Sequence, residues 1–129
     1  MKKLKRVLLV EDDEFTRFMM QEIITTLGVD VVIAADGKDA VDVLVQDPDT
    51  FGLILMDLHM PNLSGIEASR QIRQNEDERV NGMPIIALTA DVNYHDDSVV
   101  ESFGMNGFAV KPITPGQLLG VIEQHCLET

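Results

Sequence analysis

Five short apolar runs, each followed by a helical pattern, most constrain what this chain can become. They are Val7–Val10, Val31–Ala35, Phe51–Met56, Ile85–Leu88 and Gly107–Val110. Runs this short, bounded by turn residues and without polar alternation, read as strands buried on both faces. Strand and helix repeated five times with short connections implies a parallel sheet covered by helices on both faces. The predicted class is therefore α/β, doubly wound. At 129 residues, with no internal repeat, low-complexity stretch or linker, the chain reads as one domain over 1–129.

The helices carry their own punctuation. Asp13 reads as an N-cap with Glu14 in the first turn, and Phe15, Met19, Ile23 and Leu27 follow at helical spacing until Gly28. Asp36 caps a second helix with Ala40, Val41, Leu44 and Val45 as its apolar positions, and Pro48 lies beyond its end. Pro61, Asn62 and Gly65 shape the loop after the third strand. Ser64 and Glu67 form a capping-box pattern opening a third helix, from about Gly65 to Gln74. Asn75 to Gly82 reads as a solvated loop. A weaker fourth helix lies within Asp91–Gly104 and carries Val99, Val100 and Phe103. Thr114-Pro115-Gly116-Gln117 starts a fifth, with Leu118, Leu119, Ile122 and Cys126 as its stripe.

Charge narrows the function classes. Acids outnumber bases 22 to 10, a formal net charge of −12. That balance speaks against a nucleic-acid or anionic-membrane surface, which needs clustered cations. It suits divalent cations and a basic partner. The basic start, Met1 to Arg6, precedes an apolar run too short for a signal peptide, and no stretch approaches the ~20 apolar residues of a membrane span. The single cysteine, Cys126, excludes an intramolecular disulfide, fits a reducing cytosol, and reads as a small core residue.

Polar groups end four of the strands: Glu11 and Asp12, Asp57, Thr89, and Lys111. Ligands of open parallel sheets bind at that carboxyl edge. Singly, each residue has an ordinary reading as a cap, a strand end or a solvated charge. Together, three crowded carboxylates call for a cation. Mg²⁺ prefers such oxygens, and with Lys111 the charges sum to about zero, leaving room for an anion. The chemistry that fits is phosphoryl transfer to Asp57, with Lys111 and the Thr89 hydroxyl on the phosphoryl oxygens and the small Ala90 leaving space.

The ordered set Val10-Glu11-Asp12, Met56-Asp57-Leu58-His59-Met60-Pro61 with Gly65, Leu88-Thr89-Ala90 and Lys111-Pro112 resembles the receiver domain of two-component response regulators. The resemblance covers essentially the whole chain. It implies a flavodoxin-like sheet of order 2-1-3-4-5 with five helices. Asp57 would take a phosphoryl group from the phosphohistidine of a histidine kinase or histidine phosphotransfer domain. Asp12 would be a direct Mg²⁺ ligand, Glu11 would act through water, and the His59 backbone carbonyl would complete the site. A cis Lys111-Pro112 bond and a Thr89–Phe108 switch pair are implied, with output through the face of the fourth helix, fifth strand and fifth helix. So are a cytoplasmic monomer or weak dimer that contacts neither nucleic acid nor membrane, an unidentified downstream protein, and no enzyme activity beyond its own phosphorylation and dephosphorylation.

Some positions depart from the pattern or leave it open. Asp13 makes a third consecutive acid, so the acidic pair could be shifted by one; strand alternation favours Glu11-Asp12. Ile113 after Lys111-Pro112 is unlike many DNA-binding regulators and closer to stand-alone or hybrid-kinase receivers. His59 and Asp91 lie two residues beyond Asp57 and Thr89, positions that the resemblance implies tune dephosphorylation. His95 and His125 read as surface residues. A Mg²⁺-dependent phosphohydrolase would carry a second acid where His59 stands. A flavin carrier would need a phosphate loop after the first strand, and a docking-only receiver would not need the acids, Thr89 and Lys111 intact.

Overall fold

A computed structural model describes residues 5–60 and 63–125. Five parallel strands form one sheet in the order β2-β1-β3-β4-β5. They are β1 Arg6–Val10, β2 Val31–Ala34, β3 Phe51–Asp57, β4 Ile85–Thr89 and β5 Gly107–Val110. The helices are α1 Glu14–Thr26, α2 Gly37–Gln46, α3 Gly65–Gln74, the one-turn α4 Glu78–Asn81, α5 Asp97–Ser102 and α6 Pro115–His125. Short 3₁₀ turns cover Pro48–Thr50 and Val92–Tyr94. Two apolar layers sandwich the sheet. Leu8, Val10, Ile54, Met56 and Ala87 face one layer with Leu44 and Ile72, while Val7, Leu9, Leu53, Leu55 and Leu88 face the other with Ile24, Leu118 and Ile122.

Register brings the polar strand ends together. Val10 pairs with Met56, so Glu11 emerges beside Asp57. Asp57 pairs with Leu88, and Thr89 with Val110, which precedes Lys111. Caps fix where the helices begin. Asp13, Asp36 and Ser64 each accept the backbone N–H three residues on, as the sequence predicts. The reciprocal half of the capping box forms at α6, where Thr114 N–H donates to Gln117 Oε1 and Gln117 N–H to Thr114 Oγ1. At α3 it does not: Glu67 Oε1 accepts from Arg70 instead.

The structure corrects several expectations. Only the inner strands are buried on both faces; β2 and β5 lie at the sheet edges and are largely half-buried. The second strand ends at Ala34, one residue early, and Asp57 belongs to the third. In α1 the buried residues are Met20 and Ile24, whereas Phe15 and Met19 are exposed. Each step of four residues turns about 40° further around a helix, so Phe15-Met19-Ile23-Leu27 cannot share one buried face. Val45 and Leu119 are likewise exposed.

The loop expected over Asn75–Gly82 contains the one-turn α4, capped by Asp77, which joins the five expected helices among the described residues. The weak fourth helix divides into the Val92–Tyr94 turn and a six-residue α5, because Asp91 and Asp96 each cap a separate start. Cys126, Pro61 and Asn62 lie outside the described residues.

One contact that the sequence shows only as a charge closes the β4–β5 side. The half-buried Arg73 guanidinium of α3 donates to the carbonyls of Gly104, Asn81 and Met83 and to Asn106 Oδ1. It thereby ties α3 to α4 and to both approaches to the outer strands.

Candidate functional site

Two buried strands deliver the central acids. Glu11 is fully buried and Asp57 is 6% exposed. One carboxylate oxygen from each of Glu11, Asp12 and Asp57 lies within 4.8 Å of the others. Asp57 Oδ1 accepts the His59 N–H at 3.3 Å and lies 3.4 Å from Lys111 Nζ. Lys111 also donates to Glu11 Oε1 at 2.5 Å. Asp13 stands apart: its carboxylate takes the Thr16 N–H and hydroxyl at the head of α1, and those bonds hold its pKa below the usual value. The third consecutive acid is thus a helix cap, and the cluster is built from Glu11 and Asp12.

Gly65 lets the next helix start this close. A Cβ there would come within 2.1 Å of the Asp57 carbonyl oxygen. No side chain fits that approach, so glycine is required for α3 to begin directly over the strand end.

Electrostatically the cluster is unbalanced. Burial and the neighbouring Asp57 push the Glu11 carboxyl above its ordinary pKa, although Lys111 opposes them. Burial also works against the charge on Lys111, but Glu11 and Asp57 together outweigh it and leave the ammonium favoured. Three carboxylates against one ammonium leave a deficit that a divalent cation would fill, with hard oxygen donors already converging.

Beside the acids lie the remaining predicted residues. Thr89 is buried at the end of β4, and its hydroxyl accepts the Asp91 N–H at 3.0 Å. Its carbonyl accepts the Lys111 N–H at 3.1 Å. The Lys111-Pro112 bond is cis, as the resemblance implied. Phe108 is half-buried on β5, in register with Ala87. The His59 side chain is exposed; its ring meets Tyr94 edge-on, and Nε2 stands 3.8 Å from Asp91 Oδ2.

The two histidines expected at the surface are both half-buried. His125, on α6, is remote in sequence from the strand-end set, and burial lowers its pKa. His95 lies beside the site because the Val92–Tyr94 turn folds it back toward β4. Its ring stacks on Phe108, and Nε2 lies 3.1 Å from the Thr89 carbonyl oxygen. No spacing rule marks it; only its place six residues after Thr89, past the turn-capping Asp91, hints at the return.

With this geometry in view, comparison with known proteins gives a consistent result. A family model described as the response regulator receiver domain matches residues 7–123. The chain belongs to that family, and is a receiver domain of two-component signalling. Transcription factor SKN7 of Chaetomium thermophilum is 36% identical over 123 residues, covering 95% of this chain but 16% of that protein. The chain therefore spans only a small part of this curated relative. Among solved structures, the receiver domain of sensor histidine kinase PA1611 from Pseudomonas aeruginosa PAO1, with a magnesium ion coordinated in its active-site cleft, is 33% identical with a TM-score of 0.82. That match covers 95% of this chain and 97% of the other. The receiver domain of Saccharomyces cerevisiae Ssk1, in co-crystals with the histidine phosphotransfer protein Ypd1, is 30% identical with a TM-score of 0.80, covering 94% and 88%.

Proposed function

We propose that Asp57 accepts a phosphoryl group from a phosphohistidine on a histidine kinase or phosphotransfer protein. The observation that carries this reading is the Asp57 carboxylate itself, nearly buried at a strand end, 3.4 Å from Lys111 Nζ and clustered with the Glu11 and Asp12 carboxylates. An Asp57 oxygen forms the new P–O bond as the donor's P–N bond breaks, and the imidazole leaves with the bonding pair. Lys111 pairs with a phosphoryl oxygen, and the Thr89 O–H donates to another. Glu11, Asp12, Asp57 and the His59 carbonyl are the groups that would hold Mg²⁺. When bound, the ion supplies charge neutralisation for the phosphoryl oxygens. The chain promotes only its own phosphorylation and dephosphorylation and is not otherwise an enzyme.

The magnesium in the PA1611 receiver and the Ypd1 partner of Ssk1 support the cofactor and the donor class. Phe15, Phe18 and Met19, exposed on α1 next to Asp12 and Asp13, offer the donor an apolar footing.

Output follows from the added charge of about −2. Thr89 turns toward the phosphoryl group, and Phe108 rotates inward beside β4. Full burial of a Phe contributes roughly 1.5–3 kcal/mol, of which a half-buried ring gains part. The α5–β5–α6 face then changes shape for a downstream protein. Incubation with acetyl phosphate and Mg²⁺ should add one phosphoryl group by intact mass, and Asp57→Asn should not gain it. Equal labelling of that variant would overturn the assignment.

A further inference from the structure

The two moving parts of the proposed switch meet on one side chain that the phosphoryl chemistry does not use. His95 ends the Val92–Tyr94 turn, and its own N–H donates to the Val92 carbonyl at 3.2 Å. From there the ring reaches back across the end of β4. Nε2 lies 3.1 Å from the Thr89 carbonyl oxygen. A carbonyl only accepts, so Nε2 carries a proton in this contact. The same oxygen accepts the Lys111 backbone N–H at 3.1 Å. The flat of the imidazole lies against Phe108, with ring centroids 5.5 Å apart and planes within 1° of parallel. One ring thus touches Phe108, binds Thr89 through its backbone, and shares that backbone oxygen with Lys111.

The turn that carries His95 is itself pinned on two sides. Tyr94 meets the His59 ring at 5.6 Å, just beyond Asp57. It also packs against Phe103 at 6.0 Å, at the end of α5. His95 is therefore held in place by neighbours on both the acceptor loop and the output face.

We infer that His95 is a positioning residue for the switch, a latch that holds Phe108 in the orientation seen here and Thr89 in its resting place. Aromatic pairs attract beyond the area they bury, and the hydrogen bond adds direction. Inward rotation of Phe108 breaks the stack, and a shift of Thr89 toward Asp57 strains the hydrogen bond. Whatever stabilises the resting arrangement weakens binding of a phosphoryl group, or a mimic of it, by the corresponding factor. The inference rests on the switch reading proposed above, and adds to it a residue and a direction.

The test uses the whole chain, with beryllofluoride and Mg²⁺ as the phosphoryl probe and NMR of the Phe108 ring as the readout. Free His95→Ala protein should show Phe108 resonances displaced toward their beryllofluoride-bound positions in the parent, and should bind the probe about fivefold or more tightly. His95→Gln, which keeps a donor for the Thr89 carbonyl but lacks the ring, should fall between. Unchanged affinity and unchanged Phe108 resonances in both variants would reduce His95 to packing. Weaker binding by His95→Ala would place the histidine on the side of the switched state; either result overturns the latch. If the parent binds beryllofluoride but its Phe108 does not respond, the latch has nothing to hold and falls alone. Failure of the phosphoacceptor reading itself appears separately, as absent phosphoryl gain in the mass measurement.

Discussion

The strands that carry the acids and the flank that faces α5 are built differently. β1 and β3 run through the middle of the sheet, with every residue from Val7 to Glu11 and from Phe51 to Leu58 buried. β5 lies at the edge, half-buried, and α5 beside it is only six residues long. Packing around Asp57 leaves its strand one arrangement. Beyond Thr89, order comes instead from separate contacts: a 3₁₀ turn, the pairings of Tyr94 and His95, and the Arg73 hydrogen bonds. A site that must place a nucleophile gains from the first construction, and a surface that must change shape gains from the second.

Truncations should separate the two most sharply. Leu55→Ala, fully buried on β3, should cost about 2–5 kcal/mol in denaturant unfolding, and Phe108→Ala on β5 clearly less. Equal costs would mean that the flank is as firmly packed as the centre. A middle-sized effect is expected at the joint between them. Arg73→Ala removes the donor to three carbonyls and should cost about 2 kcal/mol, with Arg73→Lys recovering only part because an ammonium lacks the planar fork. Amide exchange should then accelerate at Met105 and Asn106 more than at β1. Uniform acceleration across the sheet would show that Arg73 supports the whole domain rather than its β4–β5 side.

The smallest effect should come from acid. Ser98 hydrogen bonds hold the Asp96 pKa below its ordinary value of 3.8, so the charged cap favours the folded state. That contribution is fully present above pH 3.8 and fades as the pH falls through the lowered folded value. In an acid titration followed by NMR, the Val99 and Val100 amides should therefore respond in this range, and Asp96→Asn should remove the response. Persistence of the response in that variant would assign it to another carboxylate.

What could be read from the sequence divides along the same line. The apolar runs ending at Val10, Met56 and Leu88, and the caps Asp13, Asp36, Ser64 and Thr114, are local signals. Each depends on residues within a turn or a strand of one another, so the pattern carries them directly. The convergence of Glu11, Asp57, Thr89 and Lys111 followed from their places at the carboxyl ends of parallel strands, and the strand order from the family resemblance. The outward turn of Phe15 and Met19 was not legible, because an apolar residue at helical spacing does not say which of two neighbouring stripes meets the sheet. Arg73 reads as one more charge on an amphipathic helix; its partners at Asn81, Met83, Gly104 and Asn106 are supplied by later segments. The split of the fourth helix turns on two closely spaced caps, Asp91 and Asp96, where periodicity alone favours one continuous element.

Tyr94 also gives the molecule a colour of its own. The chain contains one tyrosine and no tryptophan. That phenol stands between His59, two residues past Asp57, and Phe103, at the end of α5. Tyrosine emission from this protein consequently arises at a single address, the junction of the acceptor loop and the changeable face. A fluorimeter reading of the unlabelled chain in the tyrosine band reports that junction directly.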